Sequence, residues 1–102
     1  MFVSGLAPID EERNTIGETI TDQTRAVYTK LETALAAHGA TFSDLAKITI
    51  YLRDAEDIDE FNRVPGEFCK TDEYPAATLI AGVRLVDPGW RVEIEAVAAL
   101  RT

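Results

Sequence analysis

Apolar side chains recur at helical spacing in the first third of the chain. Between Ile20 and His38 the residues that share one face of a helix are Ile20, Val27, Leu31, Ala34 and Leu35. Thr19, with Asp22 three residues later, has the form of a capping box, and Gly39 is typical of a C-terminal stop. The pattern therefore predicts a helix from Ile20 to His38.

Four other segments have the character of strands. Two of them alternate: residues 47–52 have Ile48, Ile50 and Leu52 on one face, and residues 92–100 have apolar residues at the even positions. The predicted strands are Phe2 to Ser4, Lys47 to Leu52, Ala76 to Leu85 and Trp90 to Leu100. The last two are joined by Val86-Asp87-Pro88-Gly89, a turn sequence that indicates a hairpin.

An acidic segment, Asp54 to Glu60, opens a second predicted helix, with its charges favourably placed near the helix N-terminus. Ile58, Phe61 and Phe68 would form its buried stripe. Pro65-Gly66 interrupts the pattern, because proline lacks a backbone donor and clashes with the preceding turn. We expect a kink or two short helices.

The predicted order is β, α, β, α, β, β, which indicates an α+β fold with both helices on one side of a single sheet. The other face of the sheet is predicted to carry apolar residues that the helices do not cover. If Ala77, Leu79, Ala81 and Val83 share that open face with Val97 and Ala99, its apolar area exceeds what a monomer usually exposes. Association of subunits would cover it.

Composition narrows the classes of function. The chain has 102 residues, 46% of them hydrophobic, which suits one domain over residues 1–102. A net charge of -8 disfavours nucleic acids and anionic membranes as partners. The start of the sequence lacks the pattern of a secretory signal, and the single cysteine, Cys69, cannot form an internal disulfide. We expect a soluble cytoplasmic protein.

Few residues suggest chemistry by themselves. Glu93, on a sheet face beside Glu95, is a candidate general acid/base, with a structural ion pair as the alternative. His38 is better placed to cap a helix C-terminus than to catalyse, and Ser4 and Cys69 have no base partner. No spacing of ligands predicts a metal site, and no motif predicts a cofactor.

Motifs along nearly the whole chain resemble the RidA/YjgF family. They are Phe2-Val3-Ser4-Gly5, Gln23-Thr24, Lys47-Ile48-Thr49-Ile50-Tyr51-Leu52, Phe61-Asn62, Pro75-Ala76 and Val92-Glu93-Ile94-Glu95-Ala96. The resemblance implies a chorismate-mutase-like fold and a homotrimer, with the sheets forming the inner wall of a barrel. It also implies clefts between subunits where active members hydrolyse imines and enamines to 2-keto acids and ammonia.

The resemblance also implies roles for single residues. Glu93 would handle the water or the substrate nitrogen, and Ser4 and Asn62 would line the cleft. The family arginine that holds the substrate carboxylate is replaced by Ala77, which with Leu79 makes the predicted cleft roomier and more apolar. Leu6 stands where the family usually has Gln. About two N-terminal strands of the family, one carrying a cleft tyrosine, have no counterpart.

Another arginine would have to replace the missing one. Arg84 is an odd number of residues from Ala77, so in a regular strand it points to the opposite face. Arg91 shares the face of Glu93 and is the predicted substitute, with a strand-end pairing to Glu93 or Glu95 as the alternative.

Two functions remain as hypotheses. One is a Rid-type homotrimer that binds, and hydrolyses, a small carbonyl, imine or enamine metabolite without a cofactor. The other is a non-catalytic small-molecule-binding or scaffold member of the family, which Ala77 favours. A third interpretation, ribonuclease activity, is opposed by the charge of -8.

Overall fold

The computed structural model describes residues 1–69 and 74–100. The elements are β1 Phe2–Leu6, α1 Ile20–Ala36, β2 Leu45–Leu52, α2 Ile58–Phe61, α3 Pro65–Phe68, β3 Ala76–Ala81 and β4 Val92–Ala98, with 3-10 turns at Phe42–Asp44 and Ala55–Asp57. The strands form one four-stranded sheet in the order β1-β4-β2-β3, and the predicted α+β architecture, with helices on one face of a mixed sheet, is confirmed.

Helix α1 begins where the capping pattern predicts. The Thr19 side-chain oxygen accepts a hydrogen bond from the backbone N–H of Asp22 at 3.1 Å. This contact satisfies one of the N–H groups that have no partner in the first turn of a helix. Only this half of the predicted capping box forms between Thr19 and Asp22.

Removing this cap should weaken α1. We expect Thr19→Ala to lower the free energy of unfolding by about 1 kcal/mol, because one N–H of the first turn loses its partner. Thr19→Ser keeps the hydroxyl and should stay close to the wild type. Urea denaturation at a fixed protein concentration measures the difference. Equal losses in the two variants would contradict the capping role.

The C-terminal end of α1 is close to its prediction. The helix ends at Ala36, two residues before His38, and Gly39 has a φ of 71°. Glycine accepts this left-handed conformation at little cost, which explains the stop. The His38 ring Nδ1 lies 3.2 Å from the carbonyl oxygen of Ala34 in the last turn, as its predicted capping role requires.

The core lies between α1 and the sheet. Val27, Leu31 and Leu35 of α1 are fully buried, as are Val92 and Ile94 of β4. The predicted alternation of β2 and β4 is therefore confirmed, with the even positions of β4 and, in β2, Ile48, Ile50 and Leu52 facing the helix.

The crossover from β2 to β3 contains two short helices, as predicted. Helix α2 ends at Phe61, and Pro65 is the first residue of α3, where its missing N–H costs nothing. Phe61 is 1% exposed and lies 6.3 Å from the Tyr28 ring, so α2 is held against α1. Arg25 and Glu67 add a bidentate ion pair at 2.9 and 3.0 Å between α1 and α3.

The predicted hairpin between the last two strands is wrong. β2 lies between them, parallel to β3 and antiparallel to β4. The two predicted strands are also too long, since residues 82–91 form a connection that begins at Gly82, with a φ of 78°. The turn itself exists, because the N–H of Trp90 donates to Asp87 O at 3.1 Å. Turn residues mark a change of direction, but they do not determine which strands pair.

The predicted orientation of β3 is also wrong. Ala77 lies opposite Ile48, and Leu79 lies opposite Ile50, and both of these isoleucines are buried under the helices. Residues directly opposite share a face, so Ala77, Leu79 and Ala81 point to the helix side. The open face is formed by Phe2 of β1, Glu93, Glu95 and Val97 of β4, Lys47, Thr49 and Tyr51 of β2, and Ala76, Thr78 and Ile80 of β3.

Candidate functional site

A cleft of about 250 Å3 lies on the helix side of the sheet, along β3. Asn62, at the end of α2, and Ala77, near the start of β3, both line it, so the structure brings these two predicted site residues together. Its floor is apolar, with Ile48 and Ile50 of β2. We call this the helix-side cleft. Leu79 is half-buried against the core on the same face, but it does not line the cleft.

Tyr28 and Cys69 also line the helix-side cleft, and both are held in their neutral forms. Burial raises the pKa of Tyr28 well above its usual range, because the phenolate would lose its hydration, and the charges of Cys69 and Tyr74 add to the effect. Burial likewise raises the pKa of the Cys69 thiol. A raised pKa reduces the thiolate fraction, so this cysteine is a poor nucleophile at neutral pH.

The buried phenol should make the protein sensitive to alkali. In the unfolded chain Tyr28 ionises near its ordinary pKa of about 10, whereas the folded chain keeps it neutral, so its contribution to stability is lost above that pH. We expect Tyr28→Phe to gain stability relative to the wild type as the pH rises from 9 to about 11. Urea denaturation of both proteins at several pH values measures the gain. A constant difference would contradict the burial of the phenol.

A second depression, of about 440 Å3, lies on the open face around Glu93. Gly5 of β1 leaves room for this side chain, because a Cβ at Gly5 would overlap the Glu93 carboxylate. The Tyr51 hydroxyl donates to Glu95 at 3.2 Å beside it. Burial, this hydrogen bond and the negative charges of Glu95 and Glu93 raise the pKa of Tyr51. We call this the open-face depression.

A bulge in β1 separates Ser4 from Glu93. Val3 pairs with Ala96 and Leu6 with Ile94, so Ser4 and Gly5 both lie opposite the single residue Glu95. Ser4 lines a neighbouring depression of about 340 Å3, with Lys47, Thr49 and Glu95. Ser4 and Glu93 therefore share the open face, but they do not line the same depression.

The Arg91 side chain pairs with acidic residues of the crossover between β2 and β3. Its guanidinium lies 3.2 Å from Asp57 and 3.7 Å from Asp54, and it donates to the carbonyl oxygen of Glu18 at 3.1 Å. The predicted pairing with Glu93 or Glu95 is therefore wrong. The reason is that Arg91 precedes β4 and meets the 3-10 turn at Ala55–Asp57, whose position the strand pattern did not show.

Sequence reasoning missed Arg84 as a site residue. Arg84 does lie on the opposite face from Ala77, as predicted, but Ala77 is on the helix side, so Arg84 lines the open-face depression together with Glu93. It was set aside as a site residue because Ala77 had been assigned to the open face, and the sequence of β3 does not show which of its faces is open.

The described residues contain no group of three or more His, Cys, Asp or Glu side chains arranged to hold a metal ion. Within residues 1–69 and 74–100, no helix has both the length and the apolar character needed to span a bilayer.

These features define a class: a small α+β protein with one mixed sheet, helices on one face and clefts on both. A family model described as Endoribonuclease L-PSP matches residues 1–100. A RutC family protein of Pyrococcus horikoshii is 33% identical over 99 residues, covering 96% of this chain and 77% of the relative. Protein mmf2, mitochondrial, of Schizosaccharomyces pombe is 34% identical over 101 residues, covering 97% and 79%.

Solved structures have the same fold. A member of the YjgF family from Neisseria meningitidis superposes with a TM-score of 0.87 at 34% identity, covering 99% of this chain and 79% of that chain. The chain belongs to this family, known as Rid, YjgF or RutC, as the sequence motifs predicted.

Proposed function

We propose that this chain forms a homotrimer whose clefts between subunits bind a small carbonyl, imine or enamine metabolite and hydrolyse it, with Glu93 as the acid/base. One observation carries the proposal. Asn62 and Ala77 line the helix-side cleft, whereas Ser4 and Glu93 lie on the open face. Residues that the family resemblance assigns to one site are thus divided between two faces of one chain, and a site containing all of them requires two chains.

The two faces are suited to association. β3 is an edge strand with one unpaired side, and such edges readily accept a partner. On the open face, Phe2 is 87% exposed, Ile80 is 38% exposed and Val97 is half-buried. Covering this surface with sister subunits would remove apolar area from water.

The chemistry requires one proton carrier. As a base, the Glu93 carboxylate takes a proton from the water that adds to the imine carbon. As an acid, it returns that proton to the nitrogen, which gives a carbinolamine. It then moves the hydroxyl proton of the carbinolamine to the same nitrogen, the C–N bond breaks, and ammonia leaves a carbonyl product. No cofactor is needed for this balance, and we place the reaction in the cytoplasm, with no nucleic acid or membrane partner.

Ala77 favours a second candidate, a non-catalytic small-molecule-binding or scaffold protein. It presents only a methyl group where the family resemblance places an arginine, and Arg91, the predicted ligand-binding substitute, is held by Asp57 and Asp54. In this alternative the trimer and its clefts remain, but the hydrolytic step is lost.

Turnover separates the two candidates. The imine of an amino acid is generated in situ by an amino-acid oxidase, and keto acid and ammonia are followed with wild type, Glu93→Gln and Ala77→Arg. Acceleration by the wild type that Glu93→Gln loses supports hydrolysis. A wild type without acceleration, together with an active Ala77→Arg variant, supports the binding protein.

Assembly is tested separately. Sedimentation equilibrium at micromolar concentration should give the mass of a trimer, and a stable folded single chain would contradict both candidates. Mixed oligomers of Glu93→Gln and Asn62→Leu, each inactive alone, should recover about a quarter of the native sites if each site uses two chains. A mixture as inactive as its parents would show that no site combines these residues across subunits.

Ribonuclease activity is the third interpretation, and the name of the matching family model raises it. A net charge of -8 opposes binding of a phosphate backbone. We expect no RNA cleavage by this protein at any salt concentration.

A further inference from the structure

The segment after β3 brings a positive charge onto the open face. Gly82 has a φ of 78°, and its N–H donates to the carbonyl oxygen of Leu52, the last residue of β2, at 3.0 Å. The chain thus crosses the end of β2 on its way to β4. Leu85 is 9% exposed and anchors this crossing, and Arg84 beside it is exposed at the wall of the open-face depression.

Arg84 and Glu93 both line this depression, and in the described part of the chain they do not form an ion pair with each other. Among the described residues, Arg84 has no ion pair, and Glu93 has neither an ion pair nor a hydrogen bond. Glu95, the other carboxylate there, accepts the hydrogen bond of Tyr51. A depression of about 440 Å3 that offers one free cation and one free anion suits a small ligand with both charges.

We propose that Arg84 binds the carboxylate of a small α-amino or α-imino acid in the open-face depression, while Glu93 faces its nitrogen. A planar guanidinium can donate two parallel hydrogen bonds to a carboxylate, which a lysine cannot reproduce. Arg84 is then the residue that selects carboxylate-bearing ligands. This assignment rests on the proposed function in one respect, the role of Glu93, and it adds Arg84 to that site as a residue that determines specificity.

Binding is tested with L-alanine as the stable zwitterion, and with propionate and ethylamine as probes that each carry one of its two charges. NMR chemical-shift titration of the assembled protein should show alanine perturbing the amides of residues 83–86 and of β4. We expect alanine to bind about tenfold more tightly than either single-charge probe, because each charged contact contributes on this scale.

Variants test the contact of Arg84. Arg84→Met should bind alanine about tenfold more weakly, and Arg84→Lys should recover only part of the loss. Arg13→Met removes the same charge from the exposed turn between β1 and α1 and should bind like the wild type. Equal binding of alanine by Arg84→Met and the wild type, or no perturbation of residues 83–86, would overturn the assignment.

The titration needs no turnover, so it separates this inference from the proposed function. Alanine binding that depends on Arg84, in a protein that hydrolyses no imine, keeps the ligand assignment and rejects hydrolysis. Imine hydrolysis with the same KM in Arg84→Met and the wild type keeps hydrolysis and rejects the role of Arg84.

Discussion

Replacing Gln23 with leucine should lower the free energy of unfolding by about 3 kcal/mol, because three backbone groups lose the partner that this side chain provides. Gln23 is 1% exposed in the first turn of α1. Its Nε2 donates to the carbonyl oxygens of Gly17 at 3.2 Å and Gly89 at 2.9 Å. Its Oε1 accepts from the N–H of Arg91 at 2.7 Å. One amide thus ties the start of α1 to the turn that leads into β4.

The next residue provides a matched control of opposite sign. Thr24 is 0% exposed, and its hydroxyl has no hydrogen-bond partner among the described residues. Thr24→Val removes a buried polar group at nearly constant shape, and we expect a gain of about 1 kcal/mol. Urea denaturation of both variants at one protein concentration measures the two effects. A destabilised Thr24→Val, or a Gln23→Leu equal to the wild type, would contradict this description of the buried polar groups.

The parts of the sheet predicted correctly are those in which only one face is apolar. In β4 the even positions are apolar and the odd positions include Glu93 and Glu95, so burial permits only one orientation. β2 has the same property, with Lys47 on its other face. For these strands the alternation predicts which residues form the core.

β3 has no such contrast. This strand has apolar residues on both faces, so either orientation buries a similar surface. They are Ala76, Ala77, Leu79, Ile80 and Ala81. Its pairing with β2 decides the orientation, and that pairing depends on a long crossover that no local pattern reveals. The predicted open face was therefore wrong for this strand. The large apolar residues exposed on that face are Phe2 and Ile80, which were not predicted there.

The two arginines show the same limit for the candidate site. Arg84 lies on the opposite face from Ala77, as predicted, but it was set aside because Ala77 was assigned to the open face, whereas Ala77 lies on the helix side. Arg91 was assigned to Glu93 or Glu95 because they are near in sequence, whereas its partners Asp57 and Asp54 come from the distant crossover. Charge pairs between segments follow from the tertiary fold, and spacing along one strand cannot predict them.

Glu93→Gln should lower kcat/KM for imine hydrolysis by about 10²- to 10⁴-fold, the range expected when a general acid/base is lost. Glutamine keeps the size and the hydrogen-bonding capacity of the side chain but cannot exchange the proton. Glu95→Gln is the matched control, since Glu95 lies on the same strand and face and accepts a hydrogen bond from Tyr51. Equal losses in the two variants would indicate that the charge of the depression, and not a proton carrier, supports turnover.

Gly5→Ala should reproduce most of this loss without changing a charged residue. The added methyl group would occupy the space of the Glu93 carboxylate, which is the end of a flexible side chain and can move away. We expect urea midpoints near the wild type and a fall in kcat/KM of about 100-fold, the usual cost of displacing a catalytic group by about 1 Å. Gly66→Ala is the control, because its Cβ would lie 3.7 Å from the Tyr74 hydroxyl, an ordinary contact. Full activity in Gly5→Ala beside an inactive Glu93→Gln would mean that the carboxylate works from a position other than the one above Gly5.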